Sequence, residues 1–295
     1  MKSQLQTTAL SILGASAISL SAFGCAGRTD ATTGVSQQEQ AEDAKDLVLR
    51  AVTALFVDFD VEAATPLLAE DYIQHNPNVP TGAAAVLGFL PALEDSGLTA
   101  TPHRVLADGD LVVLHSTYDN AQLFGGPTLI GFDVFRVEDG KLAEHWDNLQ
   151  APPEETVSGR TMTDGPTEIT DLERTADNKA HVEAFAQTVL LDGQFDRIAE
   201  FIDASPGAYL QHNPNIADGL DGLAAGFAAL EEAGQGIEYT TVHGVVAEGN
   251  FVFTMSEGTM GDTPTAFFDL FRLEDGLIVE HWDTIETIPP SSEMA

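Results

Sequence analysis

The chain contains two short polar strings twice each, and this duplication constrains the fold more than any other feature. Gln74–Asn78 and Gln211–Asn215 both read QHNPN, with an offset of 137 residues, and Glu144–Asp147 and Glu280–Asp283 both read EHWD, with an offset of 136. Further matched strings lie between them in the same order, including FDVFR in the first half and FDLFR in the second. A repeat of this length is typical of a whole domain. The sequence therefore predicts a tandem duplication.

The matched strings place the two domains at 43–150 and 176–288. Between them, 151–175 is a predicted linker, because Pro, Thr, Gly, Asp and Glu dominate there and apolar periodicity disappears. Residues 26–42 are predicted to form a second linker, before the first domain, and 289–295 a tail.

Residues 1–25 have the pattern of a signal peptide. Lys2 is followed by a moderately apolar run that ends at Cys25, the only cysteine of the chain. The string Ala22-Phe23-Gly24-Cys25 resembles a bacterial lipobox, with Ala22 in place of the usual leucine. We therefore expect an exported protein, lipid-anchored to the cell envelope at the outer membrane or the periplasmic face. Free secretion is the alternative.

The charge of the chain excludes two classes of partner. Twelve Lys and Arg residues stand against 47 Asp and Glu residues, giving a formal net charge of −35. Nucleic acids and anionic lipid surfaces are bound through clusters of basic residues, which this composition does not supply. We expect no nucleic-acid partner, and contact with a membrane only through the lipid anchor.

Each half reads as helices followed by strands. Apolar residues recur at helical spacing from Leu47 to Phe59 and again from Val182 to Leu190. Later in the first half, the turn Asp139-Gly140 separates two apolar runs, which is a hairpin signal. The pattern predicts an α+β fold in which three N-terminal helices pack on a curved antiparallel sheet.

Strand alternation gathers polar side chains on one face. Asp133 shares a face with Phe135, and His145 shares a face with Asp147 on the returning strand. If these faces coincide with that of His115, two carboxylates and two imidazoles converge, and the first QHNPN loop adds a third imidazole. The candidate catalytic residues are thus Asp133, His115, His145, Asp147 and His75 in the first domain, and Asp269, His281, Asp283 and His212 in the second. The candidate substrate-binding residues are Phe89, Phe135 and Trp146.

Carboxylates beside imidazoles in an apolar cup suit proton transfer, because burial raises a carboxylate pKa and a histidine can hold or deliver the proton. In this hypothesis Asp133 is the base, His115 and His145 polarise it, and Asp147 orients His145. Structural alternatives remain open: Asp147 pairing with Arg136, and His75 fixing its own loop. Two histidines and a carboxylate also suit a metal, but no short-spaced histidine pair lies on one element. We expect no metal and no cofactor.

Together, YIQHNP, ADGD and FDVFRVEDGKLAEHWD resemble the SnoaL-like, polyketide cyclase-like group of the nuclear transport factor 2-like superfamily. The resemblance covers both halves and implies two tandem cone-shaped α+β barrels, each with a deep pocket, arranged as an intramolecular pseudo-dimer. It implies cofactor-independent aldol cyclisation, isomerisation, dehydration or hydrolysis of a small apolar carbonyl-type molecule. The superfamily also contains non-catalytic binding proteins. A small-molecule or partner-binding lipoprotein module is therefore the alternative.

The two halves differ at one candidate. His115 in the first corresponds to Met255 in the second. If His115 takes part in proton transfer, the first domain is expected to be the more active one.

Replacement of Cys25 by serine should release the protein from the membrane fraction or leave it unprocessed, because serine cannot carry the thioether-linked lipid. Fractionation of cells that express the two forms measures this. Unchanged membrane association of the Cys25→Ser protein would contradict the lipobox interpretation.

Overall fold

The structure is a computed structural model that describes residues 36–290, and its first unit begins with the helix that the apolar stripe predicts. Helix α1 (Gln37–Phe56) starts at Ser36, whose side chain and that of Glu39 form a capping box. Its apolar stripe, including Leu47, Ala51 and Leu55, is buried against the sheet. Helix α2 (Val61–Ala64) and a 3-10 turn (Thr65–Leu67) follow, and α3 (Ala83–Ser96) comes after the first strand.

The second unit opens with helix α4 (Thr175–Phe185), which continues as a π-helical segment (Ala186–Leu191). A 3-10 segment (Phe195–Glu200) and helix α5 (Gly219–Glu232) complete its helical layer. The helices-first order of the two units is therefore the same.

Each unit has five strands. In the first these are β1 (Leu68–Gln74), β2 (Thr99–Asp108), β3 (Leu111–Asp119), β4 (Thr128–Glu138) and β5 (Lys141–Gln150). In the second they are β6 (Leu210–Gln211), β7 (Ile237–Glu248), β8 (Phe251–Met260), β9 (Thr263–Glu274) and β10 (Leu277–Thr287). The predicted Asp139-Gly140 turn joins β4 to β5, and both of its residues have positive φ angles of 50° and 71°, as the tightest hairpin turns require.

The two sheets share one topology, β1-β5-β4-β3-β2 and β6-β10-β9-β8-β7. Strands β1 and β6 pair in parallel with β5 and β10, and carry the start of QHNPN to the sheet edge. The predicted α+β class and repeat are confirmed. Within the described residues neither sheet closes on itself, and each carries a parallel edge strand that the expected antiparallel sheet did not include.

The sheets pack against each other through the faces that their own helices leave uncovered. A buried apolar cluster joins them, made of Leu106, Val113, Phe132, Val134, Val246, Phe251, Phe253, Phe268, Leu270 and Trp282. Reciprocal ion pairs flank it: Lys45 contacts Glu248 and Lys179 contacts Asp108, each at 2.7 Å. This arrangement supports the expected pseudo-dimer of two tandem domains.

The predicted linker is not free of the domains. Met162 is buried, and the backbone N–H of Thr170 donates to Asn250 Oδ1 at 2.9 Å. Cys25 and the predicted signal peptide lie outside the described residues. Within residues 36–290, none of the helices combines the length and apolarity that crossing a membrane requires.

Replacement of Phe132 by alanine should lower the free energy of unfolding by about 3–5 kcal/mol, because it leaves a cavity between the sheets. Phe132 is fully buried there, with its ring centroid 5.3 Å from that of Phe253. Chemical denaturation measures the change, and Phe195→Ala is the control, because Phe195 is 48% exposed. Equal stability of the two variants would contradict the packing of sheet on sheet.

Candidate functional site

A small cup lies between the helices and the sheet of each domain. The first cup, a cavity of about 50 Å³, has apolar walls that include Phe56, Phe89 and Leu93. The second, of about 70 Å³, is walled by residues that include Phe185 and Phe227. At the sheet side of each cup stand three titratable residues: Asp133, His145 and Asp147 in the first, and Asp269, His281 and Asp283 in the second.

Strand register brings the three residues together. On β4 and β5, Asp133 lies directly opposite Asp147, and Phe135 directly opposite His145. Because side chains alternate between faces, all four point toward the helices. The ring of Phe135 stacks on that of His145 with centroids 4.5 Å apart, which buries the imidazole from behind. The predicted convergence of these two carboxylates and one imidazole is present.

The histidine of each cup binds an aspartate through one ring nitrogen and a glutamine through the other. His145 Nε2 lies 3.1 Å from Asp133 Oδ1, and its Nδ1 lies 2.9 Å from Gln74 Oε1. The same Gln74 oxygen accepts the backbone N–H of Asn76 at 2.9 Å. That second bond fixes the atom as an oxygen, so Nδ1 of His145 must carry a hydrogen and donate it.

The second domain repeats this network. His281 Nε2 lies 3.0 Å from Asp269 Oδ1, and its Nδ1 lies 3.0 Å from Gln211 Oε1. Asn213 donates its backbone N–H to Gln211 at 2.9 Å. Both copies of QHNPN therefore orient a histidine through their first residue.

A tyrosine hydroxyl that the sequence analysis missed reaches the aspartate of the pair. Tyr118 on β3 donates to Asp133 Oδ2, so both oxygens of Asp133 accept hydrogen bonds. In the second cup, Tyr239 on β7 lies 3.5 Å from each oxygen of Asp269. The two tyrosines come from non-equivalent strands, so aligning the repeats could not reveal them.

The second aspartate of each cup is less constrained. Asn76 Nδ2 donates to Asp147 Oδ2, and Asn213 Nδ2 donates to Asp283 Oδ2, each at 2.6 Å. The other oxygen of Asp283 is buried and makes no hydrogen bond within the described residues. The third residue of QHNPN thus holds a carboxylate and leaves an oxygen available to a ligand.

Burial and neighbouring charges shift the pKa values of this site. Burial raises the pKa of Asp283 to about 6, His281 lowers it in part, and the charge of Asp269 raises it further. The pKa of Asp147 is raised for the same reasons. For His145 and His281, burial lowers the pKa, but the hydrogen bond and charge of the paired aspartate, with the charge of the second aspartate, raise it by more. Each cup therefore combines a readily protonated histidine with a carboxylate whose pKa is raised above its usual value.

The histidines of QHNPN lie on the other face of the sheet, so their expected place in the cup is wrong. His75 Nε2 binds Glu144 at 2.9 Å and its ring stacks on Trp146. His212 likewise binds Glu280 at 2.8 Å and stacks on Trp282. Alternation about the edge strand explains this, because Gln74 and Asn76 turn inward and the residue between them turns outward.

His115 also lies outside the cup. It pairs with Phe132 across β3 and β4, one position out of phase with Asp133, and so faces the other domain. There it is fully buried, with its ring 4.3 Å from that of Phe132 and its Nδ1 3.2 Å from Arg104. The contrast with Met255 therefore gives no reason to expect the first domain to be the more active.

The remaining candidates divide between the faces. Phe89 lines the first cup, and Phe135 packs behind His145. Trp146 lies on the outer face, contrary to its predicted role in the pocket. The alternative pairing of Asp147 with Arg136 is also wrong, because Arg136 binds Glu138 and Glu144 on that outer face.

The three titratable residues of each cup could also offer ligands to a metal ion. One atom from each of Asp133, His145 and Asp147 lies within 4.8 Å of the others, and the same holds for Asp269, His281 and Asp283. A metal bound through His145 Nε2 would have to replace the hydrogen bond of that atom to Asp133. The donor set in this geometry suits proton transfer without rearrangement.

Comparison with known proteins gives one family. A family model described as a SnoaL-like domain matches residues 48–145 and 180–281. No curated protein matches the chain.

Solved structures that are similar to part of the chain include the following three. TsrD from Streptomyces laurentii is 21% identical and aligns over 37% of this chain and 89% of its own, with a TM-score of 0.32. An NTF2-like protein of unknown function from Mesorhizobium loti is 22% identical and aligns over 38% of this chain and 94% of its own, with a TM-score of 0.33. An LEH-like epoxide hydrolase from M. tuberculosis is 20% identical over 37% and 84%, with a TM-score of 0.32.

The imidazoles of His145 and His281 should titrate above the ordinary histidine value of about 6.5, since the paired aspartates favour the charged form. Their contribution to stability is then complete below about pH 6.5 and is lost as pH rises through the folded pKa. NMR titration of isotope-labelled histidines measures both values. Asp133→Asn should lower the pKa of His145 and leave the pKa of His281 unchanged, so His281 serves as the internal control. An unchanged pKa of His145 in the Asp133→Asn protein would contradict the pairing of His145 with Asp133.

Proposed function

Because the chain belongs to the SnoaL-like family, we propose that its two cups perform cofactor-independent acid/base catalysis on a small apolar carbonyl-type molecule. One observation carries this proposal: a partly unpaired aspartate of raised pKa stands beside a buried Asp–His pair in an apolar cavity, twice in one chain. Neighbouring titratable groups whose surroundings give them different pKa values are typical of acid and base partners.

We assign the base to Asp147 and Asp283. Asp133 is a poorer candidate, because its two oxygens already accept hydrogen bonds from Tyr118 and His145. Asp283 has an unpaired oxygen, and its pKa of about 6 leaves it ionised at neutral pH but able to hold a proton during turnover. In each cup the aspartate removes a proton from the carbon next to the carbonyl group.

The Asp–His pair positions this base and adjusts its charge. The imidazolium of His145 lowers the pKa of Asp147, whereas the charge of Asp133 raises it. Gln74 orients the ring of His145, and Asn76 holds the carboxylate of Asp147. The apolar walls limit access of water, which strengthens these electrostatic interactions.

Binding without catalysis is the second candidate, and the mainly apolar walls of both cups favour it. Such a module would retain a small apolar molecule through purification. Mass spectrometry of compounds that co-purify with the mature protein identifies that ligand for either function. We also propose export and attachment through Cys25, which the Cys25→Ser fractionation tests.

Two simple reactions test catalysis by the full chain. Deuterium exchange next to the carbonyl of cyclopentanone in D₂O reports proton abstraction, and conversion of cyclohexene oxide to its diol reports hydrolysis. The double variant Asp147→Asn, Asp283→Asn should lose on the order of 10²–10⁴ in rate, since the amide keeps the shape and removes the base. Each single variant should lose only the part of the rate that its own cup contributes.

The matched control is Glu286→Gln, which removes a partly buried carboxylate whose pKa is raised by burial to about 7 but which lies outside both cups. Its rate should stay close to that of the unmodified chain. A double variant that retains full rate would contradict the assigned base. Absence of both reactions from the unmodified chain, together with a retained ligand, would favour binding without catalysis.

A further inference from the structure

Two grooves related by the repeat lie between the domains, on the sheet faces opposite the cups. The groove beside His75 and Trp146 is called the first groove, and the groove beside His212 and Trp282 is called the second groove. The first groove has a volume of about 620 Å³, and its far wall comes from the second domain, including His243, Gly244 and Met255. The positions equivalent to these in the second groove are His103, Arg104 and His115.

The chain's own linker occupies the second groove. His212 Nδ1 donates to the carbonyl of Thr161 at 2.7 Å, and Trp282 Nε1 donates to that of Asp164 at 2.9 Å. Arg104 donates to three carbonyls of the same segment, those of Thr163, Asp164 and Pro166, at 2.8–3.1 Å. The second groove is therefore a peptide-binding site that the linker of the same chain occupies.

The fit of this segment is close. Met162 is only 2% exposed. A Cβ atom added at Gly165 would lie 2.7 Å from Glu280 Oε1 and 3.0 Å from the ring of Trp282, so only glycine fits there. His212 Nδ1 also lies 2.8 Å from Asp164 Oδ1. Backbone carbonyls, one carboxylate and a buried apolar side chain are thus what the second groove recognises.

The first groove retains the same binding platform. His75 stacks on Trp146 with ring centroids 5.0 Å apart, as His212 stacks on Trp282 at 4.6 Å. Glu144 holds His75 Nε2 at 2.9 Å, as Glu280 holds His212. Residues 287–289 also line this groove, but within residues 36–290 neither His75 Nδ1 nor Trp146 Nε1 makes a hydrogen bond.

The differences between the grooves indicate the chemistry of an occupant. In the first groove, Gly244 and Met255 lie at the positions that Arg104 and His115 occupy in the second groove. The first groove therefore has more space and more apolar surface there, and lacks two polar side chains. Glu257 and Glu286 lie along the first groove, whereas its arginine, Arg136, is already paired with Glu138 and Glu144. An occupant with a bulkier apolar side chain and a neutral or positive charge fits this lining.

We propose that the first groove binds a peptide segment of a partner protein, as the second groove binds the linker. His75 and Trp146 donate to backbone carbonyls of that segment, and an apolar side chain enters the space beside Met255. The segment is neutral or basic.

The linker sequence itself supplies the probe. A fluorescein-labelled peptide of residues 157–167, VSGRTMTDGPT, and a version in which the aspartate is lysine are titrated with the full chain, and fluorescence anisotropy is measured. The second groove is closed to both probes, because the tethered linker competes at high effective concentration. Both peptides should bind. The lysine version loses the contact that its aspartate would make with His75, as Asp164 makes with His212, but gains the attraction of Glu257 and Glu286.

Two variants and a control locate the binding. Trp146→Phe should weaken binding by about tenfold, because it removes one hydrogen-bond donor and part of the platform. Gly244→Arg should tighten binding, since it restores the carbonyl donor of the second groove. A Cβ atom at position 244 lies 3.8 Å from Met255 Cε, which leaves room for the side chain. Phe195→Ala, at an exposed site outside the groove, should have no effect.

Failure of both peptides to bind would overturn the proposal. So would binding that is equally strong in the Trp146→Phe, Gly244→Arg and Phe195→Ala proteins, because the peptides would then lie elsewhere on the molecule.

Discussion

The hydrogen bond between a buried aspartate and a buried histidine, made once in each domain, is the interaction on which the site depends. Asp133 and His145 lie on adjacent strands, and Asp269 and His281 repeat the arrangement. An unpaired charge at these positions would be costly, so the pair, its glutamine and its tyrosine must form together. This requirement fixes the register of the central hairpin and the place of the edge strand that supplies Gln74 and Gln211.

The duplication uses both faces of each sheet. One face closes a cup with its own helices, and the other packs on the second domain, with Phe132 and Trp282 fully buried there. EHWD therefore serves two purposes along one strand: His145 and Asp147 point into the cup, while Glu144 and Trp146 form the outer platform. The linker covers this platform in one domain only, which makes two nearly equivalent domains different in what they offer to solvent.

Much of this organisation could be predicted from the sequence. The repeat, the helices-first order, the Asp-Gly hairpins and the shared face of His145 and Asp147 follow from period and alternation alone. The face of β3 could not be predicted, because alternation orders residues within a strand but does not set the phase between strands. His115 was misplaced for that reason. His75 and His212 were misplaced because the parallel edge strand was not recognised. Tyr118 and Tyr239 were missed because they come from different strands of the two repeats.

The proposed acid/base function depends on the second aspartate of each cup, Asp147 or Asp283, having a raised pKa. The most direct test is a carbon-13 NMR titration of the side-chain carboxyl of Asp283, assigned with the Asp283→Asn protein. We expect a midpoint near pH 6, since burial opposes ionisation more than His281 favours it. A midpoint near the ordinary aspartate value of about 3.9 would contradict this expectation.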